Sequence, residues 1–156
     1  MNLQPYNTRL IQEQLRAEVP KLRLVGGRAD YAAARSLKDY QAPCAYVVLA
    51  REKGAKPPAP AGLPKPGARL PVRQVVSVTF GVVVVVRNYR EQHGDQLSDE
   101  LLEILGAVRG ALCGFVPDVL GTAPCQWIQG DIQDYSDSTA LWVDVYQTQH
   151  LIGSEQ

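Results

Sequence analysis

Residues 73–88 read RQVVSVTFGVVVVVRN, and the order of elements around this run decides the fold. Valine is branched at Cβ, which restricts its side chain in a helix and suits a pleated sheet, so the density of valine here predicts one long central strand. In its first half the residues alternate, with Val76, Val78 and Phe80 on one face and Ser77 and Thr79 on the other, which marks the first set as the core side. From Val82 to Val86 both faces are apolar. Something is therefore expected to cover the second face there, either other elements of the same domain or another subunit. The run is not a membrane span, because Ser77, Thr79 and Gly81 interrupt it and leave it short of the roughly 18–20 apolar residues that a helix needs to cross.

Outward from the strand, the pattern predicts a small set of partners. Ala45–Ala50 (AYVVLA), after Pro43, reads as a second strand paired with the long one. Between the two lies Lys53–Pro71, KGAKPPAPAGLPKPGARLP, with six prolines and three glycines. Proline lacks a backbone donor and glycine resists ordering, so this segment is expected to be an extended, mobile arm, serving assembly or simply tolerated as an insertion. After the turn NYREQHGDQ, the positions Leu97, Leu101, Ile104, Leu105, Val108, Ala111 and Leu112 repeat at helical spacing and predict a helix over Leu97–Phe115. Asp95 is its expected cap, Asp99 and Glu100 suit the positive end of its dipole, and Gly114 and Pro117 end it.

The flanks complete the fold. Leu10, Ile11 and Leu15 predict a helix over Asn7–Val19, capped by Asn7 or Thr8 and stopped by Pro20. Leu22–Val25 is a short apolar piece stopped by Gly26-Gly27, and Ala29–Ala34 a helical turn. Two glycines without a lysine in register make a structural turn there, not a phosphate loop. Gln126–Tyr135 and Ala140–Ile152, joined by Ser136-Asp137-Ser138, read as a terminal hairpin. In its last strand Leu141, Val143 and Val145 share one face. Trp142, Asp144, Tyr146, Thr148 and His150 share the other, which is amphipathic and reads as a possible interface with the apolar one as core. The order predicts an α+β domain over residues 1–156: an antiparallel-rich mixed sheet with two main helices packed on one face.

The totals narrow the function. Sixteen basic residues balance sixteen acidic ones, so no overall field draws the chain to nucleic acid or an anionic membrane. The N-terminal MNLQPYNTRL has no secretory h-region, which places the expected start of the chain in the cytoplasm. Cys44, Cys113 and Cys125 lie far apart and read as reduced, buried core thiols. His93 and His150 belong to no catalytic motif, and neither a Gly-x-Ser-x-Gly elbow nor a His-Glu-x-x-His pair occurs. Asp131, Asp134, Asp137 and Asp144 cluster late but read as a solvated rim and not as a calcium site. The expectation is a non-enzymatic protein without metal or cofactor. Its arm and an exposed turn bearing Arg87, Tyr89, Arg90 and His93 suit contact with other proteins, and Trp142 and Tyr146 are the further interface candidates.

Five blocks then line up with a family. GGRADYAAA, PCAYVVLARE, VVVVVRNYREQHGD, LSDELLEILGAVRGALCGFVPD and ALWVDVYQTQHLI, in this order and over nearly the whole chain, resemble the tail terminator proteins of long-tailed phages and prophages. The resemblance implies an α+β subunit of a hexameric ring at the head-proximal end of the tail tube, which stops tube polymerisation and offers a surface for head joining. Its implied partners are copies of itself, the tail tube protein and the head-tail connector protein. It implies no cofactor, no membrane and no sequence-specific contact with nucleic acid. The implied setting is the host cytoplasm during assembly and the virion tail afterwards. The alternatives are another neck or tail-completion protein and, from a different class, a small α+β enzyme or ligand-binding domain using the Asp131–Asp144 region.

Overall fold

The computed structural model describes residues 2–34, 39–87, 99–135 and 139–154. Its elements in chain order are α1 (Arg9–Glu18), β1 (Leu24–Gly26), α2 (Arg28–Ala33), β2 (Cys44–Gly54), β3 (Arg73–Arg87), α3 (Asp99–Leu112), β4 (Gln126–Tyr135) and β5 (Thr139–Gly153). The five strands form one mixed sheet in the order β1-β2-β3-β5-β4. Only β1 and β2 run parallel, so the expected antiparallel-rich α+β architecture holds. The valine run is the middle strand, hydrogen-bonded to β2 on one side and to β5 along its full length on the other. Among the described residues no helix is long and apolar enough to cross a membrane.

The two faces of β3 account for its composition. Val76, Val78, Phe80, Val82, Val84 and Val86 point to one side, where Ile11 and Leu15 of α1 and Leu101, Ile104, Leu105, Val108 and Leu112 of α3 close over them. Phe80 stacks between Tyr6 and Tyr146 on this face, at centroid distances of 6.4 and 5.5 Å. Val83 and Val85 point the other way, into a smaller cluster with Cys44, Tyr46 and Leu141 that Tyr40 and Ala42 complete and Tyr31 of α2 packs against. The second face of the valine run is thus covered by the chain's own residues. Further along that face β3 carries Ser77 and Thr79, paired with Gln149 and Gln147, and the apolar cluster does not reach them.

Local chemistry sets the ends of the helices. The Asn7 carboxamide oxygen accepts the Arg9 N–H at 3.1 Å, so Asn7 serves the start of α1. Gly114, at φ +80°, ends the α3 segment in the left-handed region that glycine enters without penalty. The predicted cap Asp95 lies outside the described residues. At the Gly26-Gly27 turn the Asp30 carboxylate accepts the Gly27 N–H at 3.0 Å, and a Cβ on Gly26 would sit 2.7 Å from that carboxylate oxygen. This is the structural turn the sequence implied.

Three expectations need correction. β2 runs to Gly54, beyond Ala50, because pairing with β3 resumes after a bulge between Leu49 and Arg51 and carries the charged residues Arg51, Glu52 and Lys53 into the sheet. Glu52 takes the Tyr6 N–H at 2.6 Å and meets His150 at 3.1 Å. The faces of β5 are reversed: the side bearing Asp144, Tyr146 and Thr148 is the one under the helices, and all three are buried. Finally, Cys44 and Cys125 are buried but Cys113 is exposed.

Candidate functional site

The densest polar arrangement is built where α3 crosses the β4–β5 hairpin. Asp144, with no exposed surface, sits in β5 opposite Gly130 of β4. Its two oxygens accept a fork from Arg109, Nε at 2.9 Å and Nη2 at 2.8 Å. They also accept the Trp142 indole N–H at 2.8 Å, the Trp127 indole N–H at 3.2 Å and the Tyr146 hydroxyl at 3.3 Å. Burial pushes the carboxyl up, but hydrogen bonds from Arg109, Trp142 and Trp127 and the charge of Arg109 outweigh it, and Asp144 ends below its usual value. The Arg109 guanidinium also lies over the Trp127 ring, 4.6 Å from its centroid. A Cβ on Gly130 would come within 2.6 Å of Asp144 Oδ1, 2.8 Å of Trp142 Cζ2 and 2.9 Å of Arg109 Nη2, so only glycine leaves room for this knot.

Chemically the knot is closed. A carboxylate that accepts this many donors has no lone pair aimed at a substrate, and its depressed pKa suits a permanent anion and not a proton carrier near neutral pH. It fastens the edge hairpin to α3. Burial also pushes Cys125 up to about 11, which leaves its thiol protonated and unreactive. Among the described residues no group of three or more His, Cys, Asp or Glu side chains is placed to hold a metal ion.

What the knot presents outward is different. β4 is an edge strand, and Trp127, Ile128 and Ile132 on it are 43–46% exposed. Bulges beside Trp127 and Ile132 interrupt its pairing with β5. On α3 the exposed Leu102 lies on the same side as Arg109, which points to this hairpin, and a Cβ on Gly106 would meet open space. The bulges and the exposed Asp131 and Asp134 blunt this edge against pairing with another strand, while Trp127, Ile128 and Ile132 remain as exposed apolar area of the kind that takes up a partner.

The candidate residues fall out as follows. Arg87 ends β3, with its guanidinium 3.5 Å from the Tyr40 carbonyl oxygen. Tyr89, Arg90 and His93 lie outside the described residues. Trp142 is partly buried and belongs to the knot. Tyr146 is fully buried against Phe80, so it is a core residue and presents no surface to a partner. Asp144 is no part of a solvated rim, unlike the exposed Asp131 and Asp134. Asp137 lies outside the described residues. Arg109, Trp127 and Gly130 escaped the sequence reading. The available signal was the pair of charges set into apolar patterns, Arg109 beside the buried face of its helix and Asp144 between Val143 and Val145.

Comparisons with known proteins add the remaining finding. The family model described as Phage tail terminator protein matches residues 1–156, the whole chain. Among solved structures, a chain of one described as the virion of a native gene transfer agent particle superposes with a TM-score of 0.53 at 15% identity, covering 90% of this chain and 91% of that one. At that identity the likeness is one of fold. No curated protein sequence matches at a significant level.

Proposed function

We propose, since the chain belongs to the phage tail terminator family, that it is a structural subunit which closes into a homo-oligomeric ring of six on the head-proximal end of the tail tube. There it stops tube polymerisation and offers the surface on which the head is joined. The observation that carries the reading is the family match over residues 1–156. In keeping with it, the one elaborate polar arrangement among the described residues is an internal fastening, and the exposed apolar residues line an edge strand. The chain works without catalysis, as one domain over residues 1–156 with an arm at 53–71. Its partners are further copies of itself, the tail tube protein and the head-tail connector protein. It acts in the host cytoplasm during assembly and in the virion tail afterwards.

Electron microscopy of the purified protein mixed with its polymerising tail tube protein tests the reading. The expected result is a ring-shaped density at one end of each tube and tubes that cease to lengthen. Tubes that grow unchanged, with no density at either end, sink it.

A further inference from the structure

Charge is distributed unevenly along a chain whose total is zero. From Lys53 to Arg73 there are five basic residues, Lys53, Lys56, Lys65, Arg69 and Arg73, and no acidic one. Arg109 is the last lysine or arginine in the chain, and six carboxylate side chains follow it. Two of those, Asp131 and Asp134, stand exposed on the edge strand β4. Paired with Val143 and Leu141, they lie on the sheet face away from the helices, while Trp127 and Ile132, paired with Tyr146 and Trp142, lie on the helix face, so the two sets meet across the free edge of the strand.

The basic segment is shaped to be bound. Every residue from Lys53 to Pro71 is exposed, and Leu63 is 99% so. Its six prolines fix φ and leave less entropy to lose on binding, the chain bends at Gly62 and Gly67, where φ is positive, and proteins take up proline-rich segments on aromatic-lined surfaces. The half-exposed indole of Trp127, backed by Arg109, is a surface of that kind.

The geometry says whose surface it is. Asp131 stands opposite Val143, which stands opposite Val83. That level is ten residues up β3 from Arg73, or roughly 33 Å at the rise of a strand. The eighteen residues Ala55–Val72, doubled back on themselves, reach about 28 Å at the polyproline rise. An arm leaving the far end of the sheet therefore reaches the level of its own Trp127, which Tyr146 sets beside Phe80, but falls short of its own Asp131 and Asp134. A second copy has no such limit.

We infer that the basic, proline-rich arm Ala55–Val72 of one subunit docks on the acidic, tryptophan-bearing β4 edge of the next copy of this chain. The arm straddles that edge, with Leu63 and the prolines along Trp127 and Ile132 on the helix face and Lys56, Lys65 and Arg69 toward Asp131 and Asp134 on the other. The two patches differ, so the contact is head to tail, the kind that propagates around a ring, whereas edge-to-edge pairing of β4 with itself would stop at a dimer. The inference rests on the reading of the chain as a self-assembling subunit and names the surfaces through which it assembles.

The test has two arms. In the first, a synthetic peptide of residues 55–72 is titrated into the full-length chain carrying Lys56→Glu, Lys65→Glu and Arg69→Glu, with tryptophan fluorescence as the readout. Saturable binding is expected, weakened at least about tenfold by Asp131→Lys with Asp134→Lys and further by added salt. In the second, sedimentation velocity follows self-association of the arm-reversed and edge-reversed chains, each checked for an unchanged melting temperature. Each alone is expected to lose assembly, and a chain carrying both reversals to regain it. Peptide binding that depends on the edge, in a chain that forms no ring, supports the docking and overturns the ring. Assembly untouched by either reversal overturns the docking and leaves the ring standing. Loss on edge reversal alone identifies pairing of two β4 edges and overturns the arm as occupant, as does a peptide that ignores the edge and binds a short DNA duplex.

Discussion

Asp144 shows how a single residue can be read correctly as chemistry and wrongly as placement. A carboxylate in a strand of alternating character is ordinarily solvent-facing, and only its place between Val143 and Val145 sets Asp144 apart locally from Asp131 or Asp134. What distinguishes it in the fold is a helix 35 positions earlier that delivers Arg109 and two tryptophans that deliver indole N–H groups. Breaking the pair leaves a buried charge, so Asp144→Asn or Arg109→Leu is expected to cost about 3 kcal/mol. That is the low end for such pairs, because roughly a third of the Arg109 side chain remains in water. Gly130→Ala should act in the same direction by forcing Asp144, Trp142 and Arg109 apart. The pH dependence has a definite sign. The folded carboxyl lies below its ordinary value, so its contribution is complete above the unfolded value of about 3.9 and disappears as pH falls through the lower folded one. In urea titrations the gap between wild type and Asp144→Asn should therefore be full at pH 6 and shrink below about pH 4. A gap that is constant down to pH 2 contradicts the ion pair as its source. The thiols make a simpler case: Cys113 is exposed, Cys44 and Cys125 are buried. Brief iodoacetamide treatment of the native protein should add one adduct, mapped to Cys113, and unfolding should add two more.

At the scale of elements, β3 was legible to the residue because its two faces carry separate signals. Alternation at Val76, Val78 and Phe80 located the helix side, and the switch to unbroken valine at Val82 announced a cover on the second side. The sequence pattern was silent on whether that cover came from the same chain, since Tyr31, Tyr40 and Tyr46 meet it only through the fold. β5 misled for a physical reason. Its polar residues lie under α3 and the N-terminal segment because Arg109, Ala123 and Glu52 satisfy them, and a satisfied polar group is as much at home in a core as a valine. The arm is the opposite case, since composition alone forecasts its exposure. With every side chain from Lys53 to Pro71 in solvent, this stretch should take the first cut in limited trypsinolysis, at Arg69, since Lys56 and Lys65 each precede a proline and resist trypsin, and give two fragments that stay associated through the β2–β3 pairing. Early cleavage inside α3 or β4 with an intact arm would contradict that order.

For the whole molecule, the resemblance of ordered blocks said more than any residue could, because a subunit that closes into a ring, as proposed, is built around contacts and not around a reacting centre. Its working parts are surfaces, and surfaces such as the β4 edge appear only once the strand order is known. The turn Arg87–His93 was singled out because tyrosine and arginine combine large contact area with several donors, a pairing enriched where proteins meet. Arg87, the described part of it, ends the central strand on the same end of the sheet as Thr139 and Ala140, opposite to the end from which the arm departs. The acidic part of the β4 edge reaches the same end, since Asp134 is level with Val85 through Leu141, so Arg87 stands near the proposed subunit contact, and in a capping ring the turn that follows it is proposed to meet the tube or the head-side partner. Tyr89→Ala combined with Arg90→Ala is expected to leave the melting temperature within about 2 °C of wild type, as substitutions in an exposed turn, which the sequence predicts here, ordinarily do. The same variant should keep self-association in sedimentation velocity yet lose co-sedimentation with tail tubes. Loss of self-association instead would assign the turn to the contact between subunits, and a variant that associates and co-sediments like wild type would return it to an ordinary solvated connection between strand and helix.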